Sequence, residues 1–398
     1  IDAAMNFSFD RDGFYEQLKE KVVAVLKEEN GDSSPRKPSL TYLAKLGTNV
    51  AIFAGSWVHI NVYPLRASVC LVNGLSRLVL TGLAHDAIHS TLLPGLPSVQ
   101  RAFREFVLRG FLNFPSDQWH EEHVLGHHPH CKTDIDPDEN LKQHIPLWRL
   151  TATTPWNPMH VWPLTSHFLI GLGLPLLNGV SHVPKLLSPL APTRADGATS
   201  VAAMVFLHLL PLLTRPRRQG VAAFVMTSML PALCTLLAFH ASHLSDHLEV
   251  PFRPGLDWGE HQLRTTANFD APYGIAGTLD LQNEHHLFPM LSYENQQAVA
   301  PLVRQTAAEF GIPYNIYESL PSAMWRHLKH MLVLGLEPST NPGWSPLNTD
   351  CERLPCIFLP RRMSKWRVRP LVVGRLTSQR PKRCHDDALR RLAARRSQ

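Results

Sequence analysis

Long apolar stretches alternate with polar, histidine-containing segments through the middle of this 398-residue chain. Five stretches carry at most one charged residue each: 46–65, 67–84, 161–180, 197–214 and 221–239. Each has about the 20 residues that a helix needs to cross the hydrocarbon core of a bilayer. A single stretch of this kind is typical of a buried core helix. Four or five together favour a polytopic membrane protein.

The order of these stretches predicts an all-α, polytopic membrane fold with about four transmembrane helices in two hairpins. The first hairpin comprises 46–65 and 67–84, and the second comprises 197–214 and 221–239. The stretch 161–180 contains two prolines and several other helix-weakening residues, and we expect it to lie in the membrane interface. Amphipathic segments predict further helices, those near the membrane being interfacial, over residues 10–29, 93–115 and 293–310.

Three regions are predicted. Residues 1–40 form a polar, cytosolic N-terminal segment, 41–315 form the membrane domain, and 316–398 form a basic, mostly disordered tail. From residue 361 onward there are 13 Lys or Arg and 2 Asp or Glu, so the net charge of +6 belongs to the tail. Attraction to an anionic membrane surface explains such a tail more simply than nucleic-acid binding does.

Histidines are concentrated at the ends of the apolar stretches. Eleven of the 22 histidines lie in four short segments: 85–89, 120–130, 240–243 and 282–286. Neutral imidazole is the commonest side-chain metal ligand. His123 and His127 are four residues apart and would share one face of an α-helix, while His128 covers a neighbouring direction. The clustering therefore predicts a histidine-rich metal site at the membrane surface, as a cytosolic cap.

The number of candidate ligands indicates two metal ions. Eight imidazoles and one amide that precedes them by three residues are the predicted ligands: His85, His89, His123, His127, His128, His243, Gln282, His285 and His286. A tetrahedral zinc site takes four ligands, so this set suits two ions held close together. Imidazole ligands are compatible with iron, copper, zinc or nickel, and spacing alone does not choose among them.

Acidic residues stand among the histidines and could accept the second ring N–H of a ligand, which fixes its tautomer and orientation. The outer-sphere candidates are these acids together with one further histidine: Asp86, Glu122, Asp136, Asp138, Glu284 and His240. We expect His120, His130 and His247 to lie near the site without binding metal. No catalytic residue separate from the metal ligands is expected.

The topology follows from a single composite site. The histidine segments must share one side of the membrane, so an even number of crossings separates His128 from His285, and the second hairpin supplies two. Arg215, Arg217 and Arg218 then fall on the opposite, non-cytoplasmic side. This placement runs against the positive-inside tendency, which the basic tail obeys.

The position of the ligands suggests the substrate. Metal held where helices leave a bilayer faces lipid, and an unactivated hydrocarbon has no polar group for zinc hydrolysis to polarise. Oxygen chemistry at iron is the usual route to such C–H bonds. A non-catalytic metal-binding membrane protein, such as a transporter or sensor, is the alternative. That alternative predicts ionisable ligands inside the spans rather than at their ends.

The histidine segments resemble the three histidine boxes of the membrane fatty-acid desaturases. HDAIH (85–89), HVLGHH (123–128) and QNEHHLFP (282–289) stand in the family's order, and FHASH (239–243) and DPD (136–138) fit as well. The glutamine that opens the third box resembles front-end desaturases, which act between an existing double bond and the carboxyl end. The resemblance covers about residues 40–315.

This resemblance implies two non-haem iron ions held by the eight histidines. It also implies a fatty acyl lipid or acyl-CoA substrate, O2, and two electrons from cytochrome b5 and its reductase. The sequence has no His-Pro-Gly-Gly haem motif, so we expect a separate electron carrier or a domain upstream of the first residue. A lipid hydroxylase on the same scaffold is the alternative product outcome. The implied location is the endoplasmic reticulum, with the boxes facing the cytosol, or a plastid membrane.

Overall fold

A computed structural model describes residues 7–30, 37–133, 135–137, 149, 156, 158–248, 253–271 and 277–336. Most of these residues are helical. Two strands of two residues each, Asn268–Phe269 and Ile316–Tyr317, pair in parallel. The predicted helical, polytopic fold class is confirmed for the described part of the chain.

Eleven longer α-helices of the described part of the chain are numbered here in chain order. They are α1 Phe14–Asn30, α2 Leu40–Val62, α3 Ala67–Ile88, α4 Pro97–Val107, α5 Pro163–Ser181, α6 Ala191–Thr214, α7 Arg217–Ala241, α8 Trp258–Thr265, α9 Gln282–Leu287, α10 Tyr293–Glu309 and α11 Leu320–Gly335. Short 3-10 segments are Pro158–Val161, Val183–Leu187, Asp246–Leu248 and Gly277–Asp280. The described residues contain four π-helical segments, at Leu108–Leu112, His120–His127, Val205–Leu209 and Val225–Met229. The second π segment lies between the short α-helical pieces Ser116–Trp119 and His128–His130.

Three described helices, α3, α6 and α7, are long and apolar enough to cross a membrane. The sequence predicted about four, and the fourth candidate is α2. It is a continuous helix of 23 residues, but it is not among the three. It begins at Leu40, before the predicted stretch, and polar residues such as Lys45, Asn49 and Asn61 lower its hydropathy.

The two predicted hairpins are present as helix pairs, α2 with α3 and α6 with α7. Nη2 of Arg215, in the turn between α6 and α7, donates to the carbonyl oxygen of Tyr63 at 2.8 Å, in the turn between α2 and α3. Both turns therefore lie at the same end of the helices. Gly74 of α3 approaches α7 so closely that a Cβ there would lie 2.5 Å from the carbonyl oxygen of Met226. The opposite ends of α3 and α7 carry the first and third histidine segments in chain order, 85–89 and 240–243.

The stretch 161–180 forms the continuous helix α5, which contains Pro175 and packs along α7. Gly171 of this helix contacts Leu233 closely: a Cβ at position 171 would lie 2.9 Å from the Cα atom of Leu233. At the N-terminus, the predicted amphipathic helix is present as α1. Its four-residue apolar spacing buries Phe14, Leu18 and Val22 against α10.

The predicted boundary of the disordered tail at residue 316 is wrong. Residues 316–317 form a strand and α11 follows it, with Ser319 as the N-cap. Ala323, Met331 and Leu334 recur on one buried face of α11. This spacing of three to eight residues gives the helix an apolar side, which packs against α7. The rest of the predicted tail, including its basic run, lies outside the described residues.

Candidate metal centre

The predicted histidine ligands come together in two buried groups. The first, the five-histidine group, consists of His85, His89, His123, His128 and His285. The second, the mixed group, consists of His127, Cys131, His243 and His286. Within each group, one potential ligand atom from every residue lies within 4.8 Å of the others. Gln282, the remaining predicted ligand, is buried at the start of α9, one turn before His285.

Helix ends deliver these side chains from distant parts of the sequence. The last turn of α3 carries His85, and His89 follows as its C-cap. His243 lies two residues beyond the end of α7, where its N–H donates to the carbonyl of His240 at 3.2 Å. The short helix α9 carries His285 and His286, and all six of its residues are buried. The two groups therefore lie at one end of the helical bundle.

The central segment is π-helical and contributes histidines to both groups. The backbone N–H of His128 donates to the carbonyl of His123, five residues earlier. The ring of His123 stacks on that of His127, with centroids 5.4 Å apart, so these two side chains share one face of the segment as the four-residue spacing predicted. The ring of His128 lies 4.7 Å from that of His123. His123 and His128 nevertheless join the five-histidine group, while His127 joins the mixed group.

Ring nitrogens of the five-histidine group converge. Nε2 of His123 lies 2.9 Å from Nε2 of His85 and 3.3 Å from Nε2 of His128. Both ring nitrogens of His89 and of His285 are buried and have no hydrogen-bond partner. A buried polar atom without a partner costs free energy, and a bound cation would satisfy these lone pairs. The donor set therefore fits a metal ion held by imidazole nitrogens.

Electrostatics keep these imidazoles in the form that binds metal. Burial lowers the pKa of His89, His123, His128, His285 and His286 well below the usual range of histidine. The neighbouring imidazoles lower each pKa further, since a second positive charge nearby is unfavourable. The five side chains are thus neutral at physiological pH, as ligation requires.

Two outer contacts orient the rings of the mixed group. Nδ1 of His127 lies 3.0 Å from the carboxylate of Asp136, which is buried, so Nε2 is the atom available to a metal. Nδ1 of His286 lies 3.0 Å from Oε1 of Gln262, and the buried Nε2 has no hydrogen-bond partner. The amide of Gln262 also donates to the carbonyl of His128 at 3.0 Å. Asp136 thus makes the contact expected of it, whereas Gln262 was not predicted.

The other predicted outer residues differ in their contacts. Oδ1 of Asp86 lies 3.8 Å from Nδ1 of His85, and Asp86 also accepts a hydrogen bond from the hydroxyl of Tyr42. Glu122 accepts from Nε2 of Gln118 at 2.8 Å. Asp86 is therefore adjacent to the five-histidine group.

Glu284 and His240 have roles that the sequence did not predict. Glu284 accepts hydrogen bonds from Tyr314 and Asn268, each at 2.8 Å, rather than from a histidine. Burial raises the pKa of Glu284 to about 7. His240 belongs to neither group, and its ring centroid lies 5.3 Å from that of His327. Asp138, the last predicted outer residue, lies outside the described residues.

Cys131 is the principal member of the site that sequence reasoning missed. It is fully buried, and its Sγ lies 3.7 Å from Nδ1 of His243. The signal was its position, three residues after His128 within the histidine-rich segment. Gln262 gave no comparable signal, because a glutamine on a short polar helix is common.

Aromatic side chains cover part of the five-histidine group. The ring of Trp119 stacks on that of His123, with centroids 5.0 Å apart. Phe239 of α7 lies 5.9 Å from the ring of His85 and 5.8 Å from that of Trp119. The imidazoles therefore meet apolar surface contributed by α7 and by the short piece Ser116–Trp119.

Several known proteins are similar in sequence to this chain. A chloroplastic acyl-lipid (7-3)-desaturase of Chlamydomonas reinhardtii is 28% identical over 264 residues, which are 59% of this chain and 49% of the relative. An acyl-lipid (8-3)-desaturase of Physcomitrium patens is 26% identical over 247 residues, 56% of this chain and 51% of the relative. An acyl-lipid (7-3)-desaturase of Rebecca salina is 26% identical over 358 residues, 81% of this chain and 75% of the relative.

The chain thus spans about half the length of the first two relatives. A family model agrees with the relatives. The model for fatty acid desaturases matches residues 63–318, which is more than half of the chain. This range includes every histidine of both groups. The chain therefore belongs to the fatty acid desaturase family.

Proposed function

We propose that this chain desaturates a fatty acyl chain with O2 at two iron ions, one in each histidine group. The observation that carries the proposal is the pair of buried donor groups at the ends of α3 and α7. Two iron ions bound there would supply the activation of O2 and the removal of two hydrogen atoms from neighbouring methylenes. The proposed iron ligands are the eight histidines of the two groups together with Gln282.

The chain's own residues hold the site ready for this chemistry. Asp136 and Gln262 each engage Nδ1 of one histidine, which directs the opposite nitrogen toward the metal. Every imidazole in both groups is buried, which limits the access of water to the site. Trp119 and Phe239 present apolar surface beside His85, which suits a hydrocarbon chain better than a polar substrate.

We further propose front-end regiochemistry. The segment that resembles the third histidine box, residues 282–289, begins with Gln282 rather than with histidine. The relatives from Chlamydomonas reinhardtii and Physcomitrium patens are named (7-3)- and (8-3)-desaturases, and a relative from Dictyostelium discoideum is named a Delta(5) fatty acid desaturase. These names support a reaction at a bond near the carboxyl end of the acyl chain.

The electron donor and the membrane are also part of the proposal. We propose cytochrome b5 and its reductase as the source of two electrons, with the acyl group carried by a lipid or by CoA. The histidine end of the bundle would face the cytosol at the endoplasmic reticulum. A plastid membrane is the second location, because one relative is named chloroplastic.

Expression in yeast with candidate polyunsaturated fatty acids tests the proposal. Mass spectrometry of the extracted acyl chains should reveal a product with two hydrogen atoms fewer than the substrate. A product with one added oxygen atom would instead identify a hydroxylase. Purified protein should contain two irons per chain, and zinc in their place would contradict the oxygen chemistry.

A matched pair of histidine variants provides the control. The His285→Ala variant should insert into the membrane and yield no product, because His285 belongs to the five-histidine group. The His59→Gln variant should retain activity, since His59 lies near the opposite end of α2, beside Tyr63. Full product yield from His285→Ala would exclude this group as the reaction site.

A further inference from the structure

Cys131 distinguishes the mixed group from the five-histidine group. It joins three histidines, and its potential ligand atom lies within 4.8 Å of theirs. The side chain has no exposed surface. Buried cysteines usually behave as small apolar residues, but this thiol faces imidazoles rather than a hydrocarbon core.

The backbone on both sides of Cys131 is fixed by contacts with the site. Nε2 of His261 donates to the carbonyl of Cys131 at 2.7 Å. The next residue, Lys132, adopts a left-handed conformation with φ of 58°, and its N–H donates to the carboxylate of Asp136 at 2.8 Å. The same carboxylate holds the ring of His127. Asp136 therefore sets the position of the thiol and of an imidazole together.

The geometry of the thiol agrees with ligation. Its Sγ lies within 4.8 Å of one potential ligand atom of each histidine in the group. Nδ1 of His243 is 3.7 Å from Sγ and 3.3 Å from the carbonyl oxygen of Thr265, to which it can donate, so Nε2 is the atom of His243 left for a metal. Two ligand atoms of one tetrahedral ion, with metal–sulfur and metal–nitrogen bonds of about 2.3 and 2.0 Å, lie about 3.5 Å apart, which the spacing of the group allows. Nε2 of His286, in the same group, is buried without a hydrogen-bond partner. A cation held by this group would be bound by the sulfur and by this nitrogen together.

We propose that the Cys131 thiolate is a ligand of the iron in the mixed group. On binding, the thiol releases its proton to solvent and the sulfur lone pair forms the bond to the metal, as for other thiolate ligands. The two irons would then differ, one held by imidazoles and one by three imidazoles and a thiolate. The thiolate charge would offset part of the metal charge in a buried site. This inference rests on the proposed function, since it requires iron.

X-ray absorption at the iron edge tests the inference in the purified full chain. The other five cysteines, at positions 70, 234, 351, 356 and 384, are replaced by alanine to leave Cys131 alone. This variant should contain a sulfur scatterer at about 2.3 Å, the length of a metal–thiolate bond. The same protein with Cys131→Ser should lose that scatterer and about half of its iron. Cys131→His should restore the iron but not the sulfur.

The outcomes separate this inference from the proposed function. Two irons with only nitrogen and oxygen scatterers would overturn the thiolate ligand and leave the desaturase proposal intact. A sulfur scatterer that persists in Cys131→Ser would also overturn it, because a methionine would then be the source. Protein without iron would contradict the desaturase proposal itself. If Cys131→Ser fails to fold, the spectrum of the Cys131-only protein still decides.

Discussion

The backbone N–H of His128 donates to the carbonyl of His123, and the side chains of both residues lie in the five-histidine group. This bond spans five residues, as in a π-helix, and such π turns are frequent at functional sites. The intervening His127 points to the other group, where Asp136 holds its ring. One short segment thus contributes ligands to both proposed irons.

Double variants test this division of the central histidines. Because His123 and His128 share a group, His123→Ala and His123→Ala/His128→Ala should both retain one iron per chain. His123→Ala/His127→Ala should retain none, since it disrupts both groups. Iron per chain, measured on folded protein purified in detergent, distinguishes the cases. If His123 and His127 instead bound the same ion, the iron contents of the two double variants would be exchanged.

Asp136→Asn should weaken the binding of one iron only. The substitution preserves an oxygen that can accept from Lys132, but it removes the charge that orients His127. Loss of such an outer-sphere partner typically costs about 10–100-fold in metal affinity. Competition with a chelator should therefore remove the iron of the mixed group first and leave the other in place.

The matched control for Asp136 is Asp117→Asn. Asp117 is also a carboxylate within the histidine-rich part of the chain, but it is exposed and pairs with Arg104 and Arg101. Its replacement should leave both iron affinities unchanged. Equal weakening by Asp117→Asn and Asp136→Asn would mean that net charge, rather than the contact with His127, is responsible.

Much of the site was predictable, because few residue types bind metals and this chain clusters them in short segments. All eight predicted histidines lie in the two groups. Their assignment to one group or the other was not predictable, since it depends on how the fold brings the four histidine segments together. Cys131 and Gln262 were missed for a different reason. Their roles come from tertiary contacts with His243 and His286, which lie more than 20 residues away.

The fold was predictable where apolar residues are continuous, as in α3 and α7. The fold was less predictable where helices are amphipathic. Residues 316–398 were predicted to form a mostly disordered tail, yet α11 buries Ala323, Met331 and Leu334. Its buried residues also include His327, whose Nδ1 donates to the carbonyl oxygen of Leu244 at 2.8 Å. His327 and His330 are buried in the same helix and interrupt its apolar pattern.

Arg77→Ala should destabilise the helical bundle more than Arg215→Ala. Both arginines donate to a backbone carbonyl, Arg77 to Leu207 at 2.9 Å and Arg215 to Tyr63 at 2.8 Å. Arg77 is buried within α3 and its guanidinium lies over the ring of Phe111, whereas the Arg215 contact is exposed. Loss of the buried contacts and the cavity left behind should cost at least about 2 kcal/mol.

Thermal unfolding in detergent measures this difference. The Arg215→Ala variant should lose about 1 kcal/mol or less, because water can replace the lost donor. Equal losses of unfolding free energy in the two variants would indicate that the buried contacts of Arg77 contribute no more stability than the exposed contact of Arg215. Iron content of the folded fraction should stay unchanged in both variants, since neither residue belongs to a metal group.

Gly74→Ala should separate α3 from α7 and thereby disturb the metal centre at a distance. A Cβ at Gly74 would lie 2.5 Å from the carbonyl oxygen of Met226, which is backbone and cannot rotate away. Overpacking of this kind typically costs about 1–3 kcal/mol. Because the far ends of these two helices carry His85 and His243, a shift between them should also lower the iron content.

Gly55→Ala in α2 is the matched control. Nothing lies within 4 Å of its Cβ position, so the better helix propensity of alanine should leave stability unchanged or raise it by up to about 1 kcal/mol. Full iron content in Gly74→Ala, alongside a lowered unfolding temperature, would show that the two helix ends hold their ligands independently of this contact.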